Sequence, residues 1–162
     1  MIKVLFVCLG NICRSPLAEA IFRKMVEEKG LTDKISCDSC GTADWHIGQT
    51  SDSRTLANAA QNGMKIRHLG RQLAEKDFGS FDFILAMDES NYDDILDLKD
   101  QIGADHDLIF KMREFESGSP APDVPDPYFG GKDGFQRVFD ILWRCNQHFL
   151  DYLVKEHQLQ HV

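Results

Sequence analysis

Cys8 and Arg14 stand six residues apart in VLFVCLGNICRSPLAEAIF, and this pairing of a thiol with a guanidinium points to phosphate chemistry. A thiolate is a strong nucleophile, and the planar guanidinium fork can hold two phosphoryl oxygens at once. Lysine, a point charge on a flexible stem, does not replace it. In a chain with five cysteines the Cys-x5-Arg spacing alone is a weak signal. Its neighbours strengthen it. Val4 to Val7 is an unbroken apolar run suited to a strand covered on both faces, which leaves Cys8 at the C-terminal end of that strand. Ser15 reads as an N-cap and Pro16 as the first helical position. Leu17, Ile21 and Met25 then recur at a spacing of four until Gly30 ends the helix. The loop between Cys8 and Arg14 thus joins a strand to a helix N-terminus, where unpaired N–H groups and the helix dipole cradle an anion and favour thiolate over thiol. Gly10 lets the backbone approach a ligand, and Asn11 tolerates the left-handed dihedrals of a tight loop.

A second reactive group lies far along the chain. The stretch ESGSPAPDVPDPYFGGKDG, residues 116–134, holds all but one of the five prolines and shows neither helical nor strand period. A long loop of this kind in a compact domain is usually functional or disordered. Pro125 and Pro127 restrict the backbone on both sides of Asp126, which suits a positioned carboxylate. Attack by a thiolate on the phosphate ester of a poor leaving group needs a general acid at the ester oxygen. Asp126 is the candidate.

The elements that must carry these groups alternate. The apolar run at 4–7, residues 34–39, the run at 81–87 and the short segment 107–110 read as strands. Residues 16–29, 52–62, 88–98 and 135–154 read as helices, the last with Phe135, Phe139, Leu142, Phe149 and Leu153 toward the core. This order predicts an α/β fold: a three-layer αβα arrangement around a central four-stranded parallel sheet, with the phosphate-binding loop between the first strand and the first helix. Ligands in such sheets bind beyond the C-terminal strand ends, the edge that carries Cys8 and the loops after Ser39 and Met87.

Composition fits one domain over 1–162, with 43% hydrophobic and 27% charged residues. The formal net charge of -8 argues against nucleic-acid binding, so an anion site must be a local positive pocket on an acidic body. The N-terminal apolar run is too short for a signal peptide or a membrane span, which predicts a cytoplasmic protein without membrane partners. Five cysteines without a spaced framework suit a reducing compartment. Cys37 and Cys40 form a C-x2-C, but no second pair follows at finger spacing, so no metal is expected.

The string CLGNICRSPLAEAIFRK, followed in order by DSCGTADWHIG, FDFILAMDESN and DPYFGGKDGF, closely resembles the low-molecular-weight protein tyrosine phosphatases over essentially the whole chain. The resemblance implies a protein tyrosine phosphatase working without cofactor or metal on tyrosine-phosphorylated proteins. Cys8 would be the nucleophile, Arg14 the phosphate clamp and Asp126 the general acid and base, with Leu9, Gly10, Asn11, Ile12, Cys13 and Ser15 forming the phosphate loop. It assigns the Ser15 hydroxyl to the Cys8 sulfur, and Asn11, Ser39 and His68 to a network supporting the loop. Asp88 would sit near the loop and act on its electrostatics, although from its sequence context it reads as a helix N-cap. Leu9, Ile12, Trp45, Tyr128 and Phe129 would wall the substrate pocket, where aromatics can sandwich a phenyl ring. Cys13 would be the redox partner that traps an oxidised Cys8 as a disulfide.

Other chemistries remain open on this fold. Related phosphoarginine phosphatases carry threonine at the position of Ile12, so isoleucine favours phosphotyrosine. A thiol-dependent arsenate reductase needs resolving cysteines in mid-chain, and none lies between Cys40 and Cys145. A non-enzymatic phosphoprotein-binding module would be favoured by loss of Cys8, Arg14 or Asp126, and all three are present. The expected assembly is a monomer that at most self-associates weakly.

Overall fold

The computed structural model describes residues 1–127 and 131–159. Its sheet has four strands, β1 (Ile2–Cys8), β2 (Ile35–Gly41), β3 (Phe83–Ala86) and β4 (Ile109–Lys111), in the order β2-β1-β3-β4. All pairs are parallel. The helices are α1 (Arg14–Glu28), α2 (Ser53–Gln61), α3 (Asp77–Ser80), α4 (Glu89–Ile102), α5 (Glu114–Ser117) and α6 (Lys132–Glu156).

Side-chain alternation along β1 explains the layers. Val4, Phe6 and Cys8 face one core with α1 and α6, where Phe22, Leu142 and Phe149 are fully buried. Leu5 and Val7 face the other, with Phe78 of α3 and Ile95 of α4. Both faces are covered, so β1 reads as an unbroken apolar run. Phe6 and Phe22 meet edge-on at 5.5 Å, which ties α1 to the strand preceding the phosphate loop. No described helix is long and apolar enough to cross a membrane.

Several boundaries move. β2 extends beyond Ser39 to Gly41, which pairs with Cys8. A Cβ on Gly41 would lie 2.6 Å from the Leu9 carbonyl oxygen, so glycine lets the strand end pass under the loop. The run at 81–87 yields only the strand Phe83–Ala86, and the fourth strand shifts from 107–110 to Ile109–Lys111. α4 continues to Ile102 and ends at Gly103, whose φ is 66°. α6 begins at Lys132, three residues before Phe135, and every residue assigned to its core face is buried. The four-residue helices α3 and α5 were not expected, since one turn is too short to show a period, and α5 takes the first residues of the proline-rich stretch.

Candidate active site

Cys8 ends β1 at the point where chain order reverses across the sheet, with β2 on one side and β3 on the other. Residues 9–13 then turn back into α1. Cys13, and not Ser15, occupies the cap position, and no side chain caps the helix. With no side chain capping them, the first-turn amides are left open to an anion. Ser15 lies in the first turn and directs its hydroxyl to the Cys8 sulfur at 2.9 Å. Pro16 is tolerated there because first-turn N–H groups have no helical partner.

The sulfur also accepts the Asn11 N–H at 3.3 Å. Ser15 Oγ accepts from Asn11 Nδ2 at 2.8 Å and lies 3.3 Å from the Cys40 carbonyl oxygen. Its one proton therefore has two destinations: the sulfur when Cys8 is a thiolate, or Cys40 when Cys8 is a thiol donating to Ser15. Both protonation states are fully bonded.

Asn11 is the hub of the loop. Its φ is 58°, in the left-handed region. Nδ2 also donates to Ser39 Oγ at 3.1 Å, while Oδ1 accepts from His68 Nε2 at 2.6 Å and from the Arg71 N–H at 3.0 Å. Every polar site of the amide is thus used, which fixes its orientation. Behind it Ser39 donates to Glu19 Oε1 at 2.7 Å, and His68 Nδ1 lies 3.2 Å from that oxygen and 3.5 Å from Asp38. Glu19 and Asp38 also pair with Arg23 and Arg71, so each of these two carboxylates has a guanidinium partner. Burial raises the Glu19 pKa, against the opposing pull of Ser39, His68 and Arg23. The loop's outer side is fastened too: Thr42, Ala43 and Asp52 donate their N–H groups to the carbonyls of Cys8, Leu9 and Ile12.

Arg14 is 3% exposed. Its Nη1 donates to Asp88 Oδ2 at 2.7 Å and to the Val124 carbonyl at 3.0 Å, and Nη2 lies 3.8 Å from Asp126 Oδ2. Burial works against its charge, but Cys8, Asp88 and Asp126 outweigh it and the pKa is raised. Asp88 thus holds Arg14 through Oδ2, and its Oδ1 caps α4 by accepting from the Asn91 N–H at 2.8 Å.

These groups surround a pocket of about 210 Å³. Cys8, Cys13 and Arg14 line it together with Leu9, Gly10 and Ile12 of the loop, and Asp126 contributes from the proline-rich segment. Trp45 and His46 complete the lining, and Trp45 is 64% exposed, as a rim residue must be. Tyr128 and Phe129, expected as walls, lie outside the described residues. Cys13 is buried, and burial pushes its thiol up to about 12. All five cysteines are free.

Sequence reasoning missed His46, Glu19, Arg71 and the Val124 carbonyl. His46 sits beside Trp45 in a loop without period, and its ring would lie 3.1 Å from a Cβ on Gly10. Glu19 carried one usable signal, being four residues after Ser15 on the helix face that turns toward the loop.

A profile of the family described as low molecular weight phosphotyrosine protein phosphatase matches residues 3–159. A low molecular weight phosphotyrosine protein phosphatase of Schizosaccharomyces pombe is 47% identical over 150 residues, spanning 92% of this chain and 95% of that one. Among solved structures, a protein tyrosine phosphatase from Entamoeba histolytica superposes with a TM-score of 0.85 at 42% identity, covering 98% of this chain and 100% of the other. A Drosophila arginine phosphatase superposes with a TM-score of 0.87 at 33% identity, covering 93% and 97%. With the profile spanning nearly the whole chain, this protein belongs to the low molecular weight phosphotyrosine protein phosphatase family.

Proposed function

We propose that the protein hydrolyses phosphotyrosine on protein substrates through a cysteinyl-phosphate intermediate. The observation that carries this reading is the convergence of the Cys8 sulfur, Arg14 and Asp126 on one pocket, with Asp126 3.8 Å from the Arg14 guanidinium. The Cys8 thiolate attacks phosphorus in line, and the bond from phosphorus to the phenolic oxygen breaks with its electron pair leaving on oxygen. Asp126 delivers its proton to that oxygen, since tyrosine is a poor leaving group as its anion. Arg14 and the loop amides stabilise the equatorial oxygens. Water then attacks the phosphocysteine, giving its proton to ionised Asp126 and releasing phosphate and the thiolate. The Ser15 hydroxyl and Asn11 N–H support negative charge on the sulfur in the first and last states.

Leu9, Ile12 and Trp45 wall a slot for the phenyl ring. Ser39, His68 and Asp88 hold the phosphate loop and its arginine in shape. Cys13 serves as the redox partner: a hydroperoxide oxidises the Cys8 thiolate to a sulfenic acid and leaves as the alcohol or water. The Cys13 thiol then displaces water from that sulfur to close a disulfide, and external thiols reduce the disulfide back to two thiols. The working unit is a single domain, monomeric and cytoplasmic. Ile12 favours phosphotyrosine, while the likeness to an arginine phosphatase makes phosphoarginine the competing substrate.

The test is hydrolysis of an aryl phosphate and of phosphotyrosine, phosphoserine and phosphoarginine peptides, with Cys8→Ser and Asp126→Ala as controls. Phosphotyrosine is expected to be preferred and Cys8→Ser to be inactive. Full activity in Cys8→Ser would sink the mechanism, and preference for phosphoarginine would overturn the role given to Ile12.

A further inference from the structure

Among the described residues Lys111 is the one buried lysine, at 9% exposure. It closes β4, two residues after buried Ile109, a position that packing alone would fill with an aliphatic side chain. A buried ammonium is tolerated only with its donors satisfied. Here Nζ donates to the Ala121 carbonyl at 2.8 Å and meets Asp123 Oδ1 at 2.8 Å and Glu89 Oε2 at 3.2 Å. Two of these acceptors belong to the segment leading to Asp126, and the third opens α4. Asp123 Oδ1 also accepts the Glu89 N–H at 3.0 Å, so the segment and the helix start are knotted at one oxygen. Burial disfavours the lysine's charge, but Asp123 and Glu89 outweigh it and its pKa is raised.

The same segment continues into the reaction centre. Arg113 Nη1 holds the Asp123 carbonyl at 3.1 Å, the Val124 N–H donates to the Met87 carbonyl at 2.8 Å, and Arg14 holds the Val124 carbonyl. Only Pro125 separates this anchored residue from Asp126. Asp88, which grips Arg14, precedes Glu89 directly. The phosphate clamp and the proton donor therefore share one frame at the start of α4, with Lys111 as its cross-brace.

We propose that Lys111 is a positioning residue for the proton donor: its ammonium pins residues 121–124 to β4 and α4 and so holds Asp126 at the leaving-group side of the pocket. The proposal rests on the phosphatase reading above. A displaced general acid slows only reactions that need protonation, so the effect must depend on the leaving group.

The experiment compares kcat/KM for phosphotyrosine with that for an aryl phosphate whose phenol is strongly acidic. Lys111→Met is expected to lose about 10-fold on phosphotyrosine and less than about 3-fold on the acidic phenol. Lys111→Arg should recover most of the loss, and Lys111→Met should add nothing further in an Asp126→Ala background. Asp123→Asn, half exposed and outside the core, should give the same leaving-group pattern at smaller size and serves if Lys111→Met does not fold. Equal losses on both substrates, no loss in either variant, or full additivity with Asp126→Ala overturns the proposal. A response of Asp126→Ala that is itself independent of the leaving group overturns the proton-donor reading first, and is distinguishable for that reason.

Discussion

Asn11 shows how one residue can serve backbone and side chain together. Its left-handed φ makes the turn, its N–H reaches the sulfur, and its amide joins Ser15, Ser39, His68 and Arg71. Asn11→Ala leaves several buried groups unmet and keeps a dihedral that alanine resists, so unfolding in denaturant should show a loss of about 3 kcal/mol together with reduced activity. The cysteines make a second case. Burial pushes Cys13, Cys37 and Cys145 up to about 12 and raises Cys40 well above the usual thiol range, whereas the Cys8 sulfur faces hydrogen-bond donors and a pocket. At neutral pH iodoacetamide should modify one thiol rapidly, with inorganic phosphate protecting it and mass spectrometry placing it on Cys8. Rapid modification of Cys13 would show that its burial does not hold.

At the scale of elements, the phosphate loop depends on how closely β2 passes beneath it. Gly41→Ala places a methyl group 2.6 Å from the Leu9 carbonyl oxygen, and the loop must move to admit it. Because small displacements of a positioned loop are costly in rate, kcat/KM should fall at least about 10-fold. Wild-type activity in Gly41→Ala would mean that the loop is not held from below. Element identity was largely legible in the sequence, because apolar runs and helical spacing report burial directly. β1, α1 and α6 were visible for that reason, and β4 was misplaced because three residues carry little pattern. The start of α1 was misread since Ser15 has the chemistry of a cap but is used at the sulfur.

At the scale of the molecule, an acidic chain carries a pocket in which Arg14 faces Asp126, and several carboxylates are held charged by basic partners. Burial opposes the charge of Asp123 and of Glu116, but Lys111 in the first case and Arg144 with Arg113 in the second outweigh it, so both pKa values are lowered. A carboxylate depressed by folding contributes stability above its unfolded pKa, near about 4, and that contribution fades as pH falls through the folded value. The urea midpoint should therefore drop as pH falls below about 4. In Lys111→Met the Asp123 share of that drop should shrink, leaving what the Glu89 N–H and Arg14 sustain, and an unchanged acid limb would argue against the ion pair. The long-range contacts were what the sequence concealed. Lys111 to Asp123, Arg14 to the Val124 carbonyl and His68 to Asn11 join segments remote along the chain, and no local spacing reports them.

The most direct measurement is rapid quenching of Asp126→Ala during turnover of an aryl phosphate whose phenol is strongly acidic, so that forming the intermediate needs no general acid while its hydrolysis lacks the general base, followed by mass spectrometry of the protein. A phosphoryl group on the peptide that contains Cys8, absent from Cys8→Ser, is the predicted result. Turnover with Cys8 unmodified at every quench time, or a phosphoryl group on another residue, would contradict the assignment of Cys8 as the nucleophile.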